Sequence, residues 1–225
     1  MKISVFGDSI SSYSGYSNGV NGVAQTDCFY PANCTAVGFN NTWWMQVINY
    51  KGASILSNNA VGGSCVGWYY NVADDPTSGV EVNDTYHVGP TYCMNNTSRI
   101  NYLGQPSGTN HPDAILFLGG YNDGCRAGFT QSQFFANYGN ALQLMNARYG
   151  SNTKIICITP YYCGNVTSTK IDIISNLIIY ATQQGYANCL AVDLRNVNMS
   201  GKLTQDHPNL AGMNAIAQAV EQAWP

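Results

Sequence analysis

A serine stands directly after the first short apolar run of the chain, in the sequence Gly7-Asp8-Ser9-Ile10-Ser11. At the end of a strand, next to a glycine that permits close passage of the backbone, a serine hydroxyl is free to reach a substrate carbonyl as a nucleophile. The same tripeptide also suits a simpler role, in which Asp8 or Ser9 caps the next segment. Ser9 is therefore a candidate nucleophile that needs partners from elsewhere in the chain.

Three later segments carry groups that suit the same chemistry. The first is Asn58-Asn59-Ala60-Val61-Gly62-Gly63, whose glycines allow a backbone N–H to approach a reacting centre without an intervening side chain. The second, Gly120-Tyr121-Asn122-Asp123, follows an apolar run, and the third, Asp206-His207-Pro208-Asn209, precedes the last helix-like segment. We expect all of them at one edge of a sheet, where the carboxyl ends of parallel strands meet and open α/β folds bind their ligands.

The elements that position these groups follow from the hydrophobic pattern. Short apolar runs alternate with longer helix-like segments, as in a parallel sheet covered by helices, which predicts an α/β fold: a three-layer α/β/α sandwich with a central parallel five-stranded sheet. The predicted strands are Ile3 to Phe6, Ser54 to Ser57, Ala114 to Leu118, Lys154 to Thr159 and Cys189 to Asp193. The predicted helices are Thr42 to Tyr50, Gln131 to Tyr149, Thr169 to Gln184 and Asn209 to Trp224. We expect residues 1–225 to form one domain, because no interdomain linker is evident and the length suits one core.

Two stretches, residues 11–40 and 66–110, are longer than ordinary connections and rich in Gly, Asn, Ser and Tyr. Both are long loop insertions at the predicted carboxyl edge of the strands, so we expect them to build the walls of a pocket. Tyr121, Trp68 and Tyr69 are candidate substrate-binding residues, since Tyr and Trp rings stack on a sugar face. Ordinary packing at the rim is an equally good explanation for such rings.

Taken in chain order, Ser9, Gly63, Asn122 and His207 match the four residues that name the SGNH (GDSL-like) hydrolase family. The chain resembles this family from the first strand to the last helix, and is similar to bacterial lipase-like and carbohydrate esterase members. The resemblance implies a flavodoxin-like sheet, Ser9 as nucleophile and His207 as general base. It also implies an oxyanion hole made by the N–H groups of Ser9 and Gly63 and the side chain of Asn122.

What the resemblance implies for function is a serine esterase that releases a short acyl group, such as acetyl, from a carbohydrate or another polar alcohol. Longer acyl chains would need a continuous apolar channel, which the polar insertions do not offer. An acyltransferase would use the same residues, and a binding or structural protein with weakened catalysis is a further alternative.

One position departs from the family pattern. Thr204 stands three residues before His207, where the family usually has an acidic residue that orients the imidazole. Three arrangements are open: Asp206 folds back onto the ring, a backbone carbonyl or the Thr204 hydroxyl orients it, or the site is impaired. We take Asp206 as a candidate catalytic residue, and favour a Ser-His pair with a neutral orienting group.

Composition excludes several other classes of protein. The formal net charge is −3 and charged residues make up 9% of the chain, which leaves no basic face for nucleic acid. No apolar run is long enough for a membrane span. The histidines show no metal-ligand spacing, so we expect no cofactor and no metal. The expected partner is a small-molecule or carbohydrate ester, and the expected state is a monomer.

The chain contains eight cysteines. Cys157 and Cys189 lie in apolar runs, where a buried thiol acts as a small hydrophobe. The other six could form three disulfide bonds along one rim of the sheet, which we favour over the alternative of six unpaired loop thiols. Disulfide bonds would favour a secreted or cell-surface protein; a cytoplasmic location is the alternative. These six are Cys28, Cys34, Cys65, Cys93, Cys125 and Cys163.

Overall fold

The centre of the fold is a five-stranded parallel sheet with the strand order β2-β1-β3-β4-β5. The computed structural model describes residues 1–18, 28–68, 90–104, 110–126, 128–164 and 166–225. The strands are β1 (Lys2–Gly7), β2 (Ser54–Ala60), β3 (Ala114–Leu118), β4 (Lys154–Ile158) and β5 (Cys189–Val192). All five predicted strands are confirmed, and β2 runs on past its predicted end at Ser57.

Helices cover both faces of this sheet, which confirms the three-layer α/β/α sandwich. They are α1 (Trp43–Tyr50), α2 (Thr97–Asn101), α3 (Tyr121–Cys125), α4 (Gln131–Tyr149), α5 (Ser168–Gln184) and α6 (Leu210–Ala223). The four predicted helices are confirmed with small shifts at their ends, whereas the short helices α2 and α3 were not predicted. Helix α1 packs against α6, and α4 packs against α5.

Successive residues of the central strands β1, β3 and β4 pack into two separate hydrophobic cores, one on each face of the sheet. Ile3 and Val5 of β1 join the core under α1 and α6, and Phe6 joins the core under α4 and α5. Side chains alternate between the two faces of a strand, and both faces of this sheet are covered. Strand β3 and, after Lys154, strand β4 are therefore continuous apolar runs, which is why the sequence predicts them.

The neighbouring strands β1 and β3 mark the point where the strand order reverses, which is where open α/β sheets hold their ligand crevice. Strand β1 ends there at Gly7. A Cβ atom on Gly7 would lie 2.7 Å from the Ser11 hydroxyl oxygen and 2.8 Å from the Leu118 carbonyl oxygen. Only glycine therefore lets the chain turn this tightly against β3 into the Ser9 segment.

A small antiparallel hairpin precedes α6 and was not predicted. Its strands are β6 (Leu203–Thr204) and β7 (His207–Pro208), so that Thr204 pairs with His207. Gln205 and Asp206 form the two-residue turn and have φ angles of 49° and 63°. Both values lie in the left-handed region, which residues other than glycine seldom adopt.

The prediction of three disulfide bonds is wrong, because the structure contains none. Some of the loop thiols have other neighbours: Cys65 Sγ accepts a hydrogen bond from Arg126 Nε at 3.3 Å. Cys163 lies beside Tyr121, and burial raises the pKa of its thiol to about 12. The expectation of secretion loses the support that it drew from disulfides.

No helix in the described ranges has both the length and the apolar character needed to cross a membrane.

Candidate active site

The structure brings His207 to Ser9. The imidazole Nε2 lies 2.9 Å from the Ser9 hydroxyl oxygen, although the two residues are 198 positions apart in the chain. Ser9 sits in the turn after β1, where the N–H of Ser11 donates to the Asp8 carbonyl at 3.1 Å. His207 comes from β7, just before α6.

The other ring nitrogen of His207 faces a backbone carbonyl. Nδ1 lies 2.8 Å from the carbonyl oxygen of Gln205. A carbonyl only accepts hydrogen bonds, so in the neutral ring Nδ1 carries the hydrogen and donates it. Nε2 is then unprotonated and accepts a hydrogen bond from the Ser9 hydroxyl, which is the tautomer that a general base requires.

Asp206 does not occupy the orienting position at Nδ1. Its carboxylate lies towards Gly164, where a Cβ on that glycine would be 3.4 Å from Asp206 Oδ1. The left-handed conformation at Gln205 and Asp206 turns the carbonyl of Gln205, and not the carboxylate of Asp206, towards the ring. Of the three arrangements left open by the sequence, the geometry is that of a neutral backbone orienter.

The buried surroundings of His207 favour the neutral form of its imidazole near pH 7. Burial lowers the pKa of the imidazole below its ordinary value, while the Gln205 carbonyl and the charge of Asp206 act in the opposite direction. A neutral imidazole has a free lone pair on Nε2 and can take a proton from Ser9.

The predicted donors of an oxyanion hole lie on the loops after β2 and β3. Gly63 has a φ angle of 72°, which suits a glycine. Asn122 Nδ2 donates to the Ser64 carbonyl at 3.0 Å and lies 3.5 Å from Asp8 Oδ2, so this amide joins the two loops beside Ser9. In the described part of the chain, the N–H groups of Ser9 and Gly63 donate to no protein acceptor.

Two charged side chains hold the loop that carries Gly63. The Asp123 carboxylate accepts hydrogen bonds from the N–H groups of Val66 at 3.0 Å and Gly67 at 3.4 Å. Arg126 Nη2 donates to the carbonyl of Gly63 at 3.2 Å. Both residues therefore fix the path of this loop.

A buried cation and a buried acid lie beneath these loops. Arg99 is fully buried and donates to Asn59 Oδ1 at 3.0 Å, to the Asn59 and Gly7 carbonyls at 2.5 and 3.4 Å, and to the Tyr92 carbonyl. Burial lowers the pKa of Arg99 to about 9. Burial also raises the pKa of Asp8 to about 7, with a smaller contribution from the charge of Asp123.

The predicted substrate-binding residues are placed as follows. Tyr121 begins α3 directly before Asn122, and its hydroxyl lies beside Cys163. Trp68 is 37% exposed, and its carbonyl accepts a hydrogen bond from Gln133 of α4 at 3.0 Å, so its described contact is with α4 rather than with Ser9 or His207. Tyr69 lies outside the described residues.

Three aromatic residues around His207 were not singled out from the sequence. The ring of Phe29 stacks flat on the imidazole, with centroids 3.8 Å apart and planes 7° apart. The Tyr30 hydroxyl donates to the Pro208 carbonyl at 2.7 Å, and the Tyr161 hydroxyl donates to the Asp206 carbonyl at 3.0 Å. Phe29 and Tyr30 belong to the insertion at residues 11–40, for which the sequence indicated only a pocket wall.

Within the ranges that the structure describes, no three His, Cys, Asp or Glu side chains come together as metal ligands.

Comparison with known proteins shows which family profile and which solved structures this chain is similar to. A profile of GDSL-like lipases and acylhydrolases matches residues 1–224. No curated protein matches the chain. A Bacteroides ovatus ATCC 8483 protein assigned as a GDSL-like lipase superposes with a TM-score of 0.62 at 18% identity, over 98% of this chain and 96% of that one.

Two further structures have the same fold. A family two carbohydrate esterase from Clostridium thermocellum, in complex with cellohexaose, has a TM-score of 0.62 at 16% identity, over 98% of this chain and 62% of that one. The lipase/acylhydrolase from Enterococcus faecalis has a TM-score of 0.58 at 15% identity, over 98% and 94%. At these identities the likeness is one of fold.

The buried acid next to Ser9 predicts an unusual dependence of stability on pH. Because the pKa of Asp8 is raised in the folded protein, the unfolded chain releases this proton at lower pH, and the free energy of unfolding falls as the pH rises from about 4 to about 7. Asp8→Asn should remove this fall. The free energy of unfolding of the variant, relative to that of the wild type, should therefore be higher at about pH 8 than at about pH 5 by on the order of 2 kcal/mol. Urea unfolding at the two pH values measures it.

Asp193→Asn is the matched control. Hydrogen bonds from Arg195 lower the pKa of Asp193, so this carboxylate stays ionised over the same interval and its replacement should shift stability equally at both pH values. Parallel curves for wild type and Asp8→Asn would contradict the assignment of a raised pKa to Asp8.

Proposed function

The chain belongs to the GDSL-like lipase/acylhydrolase family of hydrolases, and we propose that it is a serine esterase that cleaves short acyl esters of polar alcohols or carbohydrates. The observation that carries this proposal is the 2.9 Å contact between His207 Nε2 and the Ser9 hydroxyl, in a ring whose Nδ1 already has an acceptor. A serine and a neutral histidine at this distance form the minimal nucleophile and base of acyl transfer.

In the proposed reaction, Ser9 Oγ attacks the ester carbonyl carbon while His207 Nε2 accepts the hydroxyl proton. The resulting imidazolium keeps its hydrogen bond from Nδ1 to the Gln205 carbonyl, whose partial negative charge stabilises it. The imidazolium then returns the proton to the leaving alkoxide, and an acyl-Ser9 ester remains. A water molecule repeats both steps, so that acid and free serine are released.

The negative charge on the carbonyl oxygen requires donors that are fixed in advance. We assign the N–H groups of Ser9 and Gly63 and the Asn122 amide to this role. One hydrogen of the amide is held by the Ser64 carbonyl at 3.0 Å, and the 3.5 Å approach to Asp8 Oδ2 is too long for a strong second bond. That second hydrogen is the one we assign to the oxyanion.

The substrate class has two supports. The insertions are polar rather than continuously apolar, and Tyr16, 51% exposed, stacks on Phe39 with centroids 3.9 Å apart in the insertion that follows Ser9. Exposed rings of this kind suit a sugar face. The family two carbohydrate esterase with the same fold is the second support. The alternative of a weakened binding protein is based on Thr204; the Gln205 carbonyl at Nδ1 supports the esterase proposal instead.

The direct experiment is turnover of a small aryl acetate by the wild type and by Ser9→Ala. We expect the substitution to lower kcat by about 10³-fold or more, because no other group in the proposed site forms the acyl intermediate. Ser200→Ala, at an exposed serine before the hairpin, is the control and should keep full activity. Equal turnover by wild type and Ser9→Ala would refute the proposal, and a preference for long acyl chains in a series of aryl esters would refute the substrate class.

The Asn122 assignment predicts a separate kinetic signature. Asn122→Ala should lower kcat about 10²- to 10³-fold with little change in KM, because the lost donor serves the transition state and not the bound ester. Steady-state kinetics on the same aryl acetate measure both constants. If kcat is unchanged, or if the loss appears in KM alone, Asn122 does not stabilise the oxyanion.

A further inference from the structure

The backbone on both sides of His207 is held by buried tyrosine hydroxyls. Tyr161 donates to the carbonyl of Asp206 at 3.0 Å, and Tyr30 donates to the carbonyl of Pro208 at 2.7 Å. Both rings are fully buried, with exposed fractions of 1% and 0%. A buried hydroxyl that loses its partner is costly, so each of these bonds restrains the carbonyl that it reaches.

The segment that these tyrosines hold has an unfavourable conformation. Gln205 and Asp206 have φ angles of 49° and 63° in a two-residue hairpin turn, where Asn-Gly or Gly-Gly is usual. Such a conformation at residues with side chains persists only when the surrounding structure enforces it. Here it brings the Gln205 carbonyl to 2.8 Å from Nδ1 of His207.

The ring itself is restrained by a third aromatic residue. Phe29 lies flat on the imidazole at 3.8 Å between centroids, which fixes the plane in which Nδ1 and Nε2 point. Phe29 and Tyr30 are consecutive, so a single short loop restrains both the ring and the carbonyl that follows it in the chain. The N–H of Ser14 donates to the carbonyl of Tyr30 at 2.9 Å and ties this loop to the segment after Ser9.

We propose that Tyr30 and Tyr161 are positioning residues that do, through the backbone of the 205–208 hairpin, what a carboxylate bound to the histidine does in other serine hydrolases. The proposal rests on the proposed function of Ser9 and His207. Each hydroxyl holds one carbonyl next to His207, the turn keeps its left-handed form, and the Gln205 carbonyl stays on Nδ1. Burial raises the pKa of both tyrosines well above the ordinary value, so both hydroxyls remain protonated donors at the pH of catalysis.

Tyr161→Phe and Tyr30→Phe test this by removing only the hydroxyl. The matched control is Tyr149→Phe, because the Tyr149 ring is 4% exposed and its hydroxyl also donates to backbone carbonyls, those of Ile100 at 2.6 Å and Asn101 at 3.1 Å, away from the hairpin. We expect Tyr161→Phe and Tyr30→Phe each to lower kcat on an aryl acetate about 3- to 10-fold with KM unchanged. Tyr149→Phe should lose comparable stability and keep its kcat.

Two further readouts separate positioning from a general loss of stability. The acid limb of the kcat/KM profile should move to lower pH in both variants, because the hydrogen bond to the Gln205 carbonyl raises the pKa of His207 and its weakening lowers that pKa. The charge of Asp206 also raises this pKa, but Asp206 is present in the wild type and in all three variants. The proton NMR signal of Nδ1–H, identified by its loss in His207→Gln, should broaden or shift in both variants and remain unchanged in Tyr149→Phe.

The outcomes separate the two proposals. A wild type without ester turnover refutes the proposed function, while the Nδ1–H signal still decides the positioning role because it needs no catalysis. If kcat, the acid limb and the Nδ1–H signal in Tyr161→Phe and Tyr30→Phe all match those of Tyr149→Phe, the positioning role is overturned.

Discussion

The contact between His207 and Ser9 is the interaction on which the rest of the site depends, because it joins two residues that are positioned by different parts of the structure. Ser9 is placed by the sheet: it follows β1, whose neighbours β2 and β3 carry the loops of Gly63 and Asn122. His207 is placed by a two-stranded hairpin that does not belong to that sheet. A small rotation of the hairpin would break the 2.9 Å contact while leaving the core intact. This explains why polar bonds gather at the hairpin.

A layer of buried polar groups lies beneath the loops. These groups make directional hydrogen bonds, which apolar packing alone does not provide. Arg99 binds carbonyls at the ends of β1 and β2, and the Asp123 carboxylate binds N–H groups after Gly63. Burying these charges is unfavourable, as the lowered pKa of Arg99 and the raised pKa of Asp8 indicate. Specific hydrogen bonds offset that cost and fix where the strand ends turn. In this chain, the buried hydrogen bonds therefore set the backbone direction of the loops that follow β1 and β2.

The sequence predicts those parts of the fold that have a recognisable local pattern of residues. The central strands appear as apolar runs because both of their faces are buried. Gly63 and Asn122 were proposed as site residues from their order along the chain and the family resemblance. The sequence did not identify the Gln205 carbonyl as the partner of His207 Nδ1. The direction of this carbonyl depends on left-handed φ angles at Gln205 and Asp206, and neither residue is a glycine that would have indicated such a turn. Phe29 reaches His207 only through tertiary packing across a long insertion. The disulfide prediction failed because a shared rim does not fix the distance between two sulfur atoms.

Reaction with an aryl alkylphosphonate, followed by intact-mass and peptide mapping, tests most directly whether Ser9 and His207 form an activated pair. We expect one adduct in the wild type, located on Ser9, and its loss in His207→Gln. No adduct in the folded wild type, an adduct on another residue, or labelling of Ser9 that does not depend on His207 would contradict it.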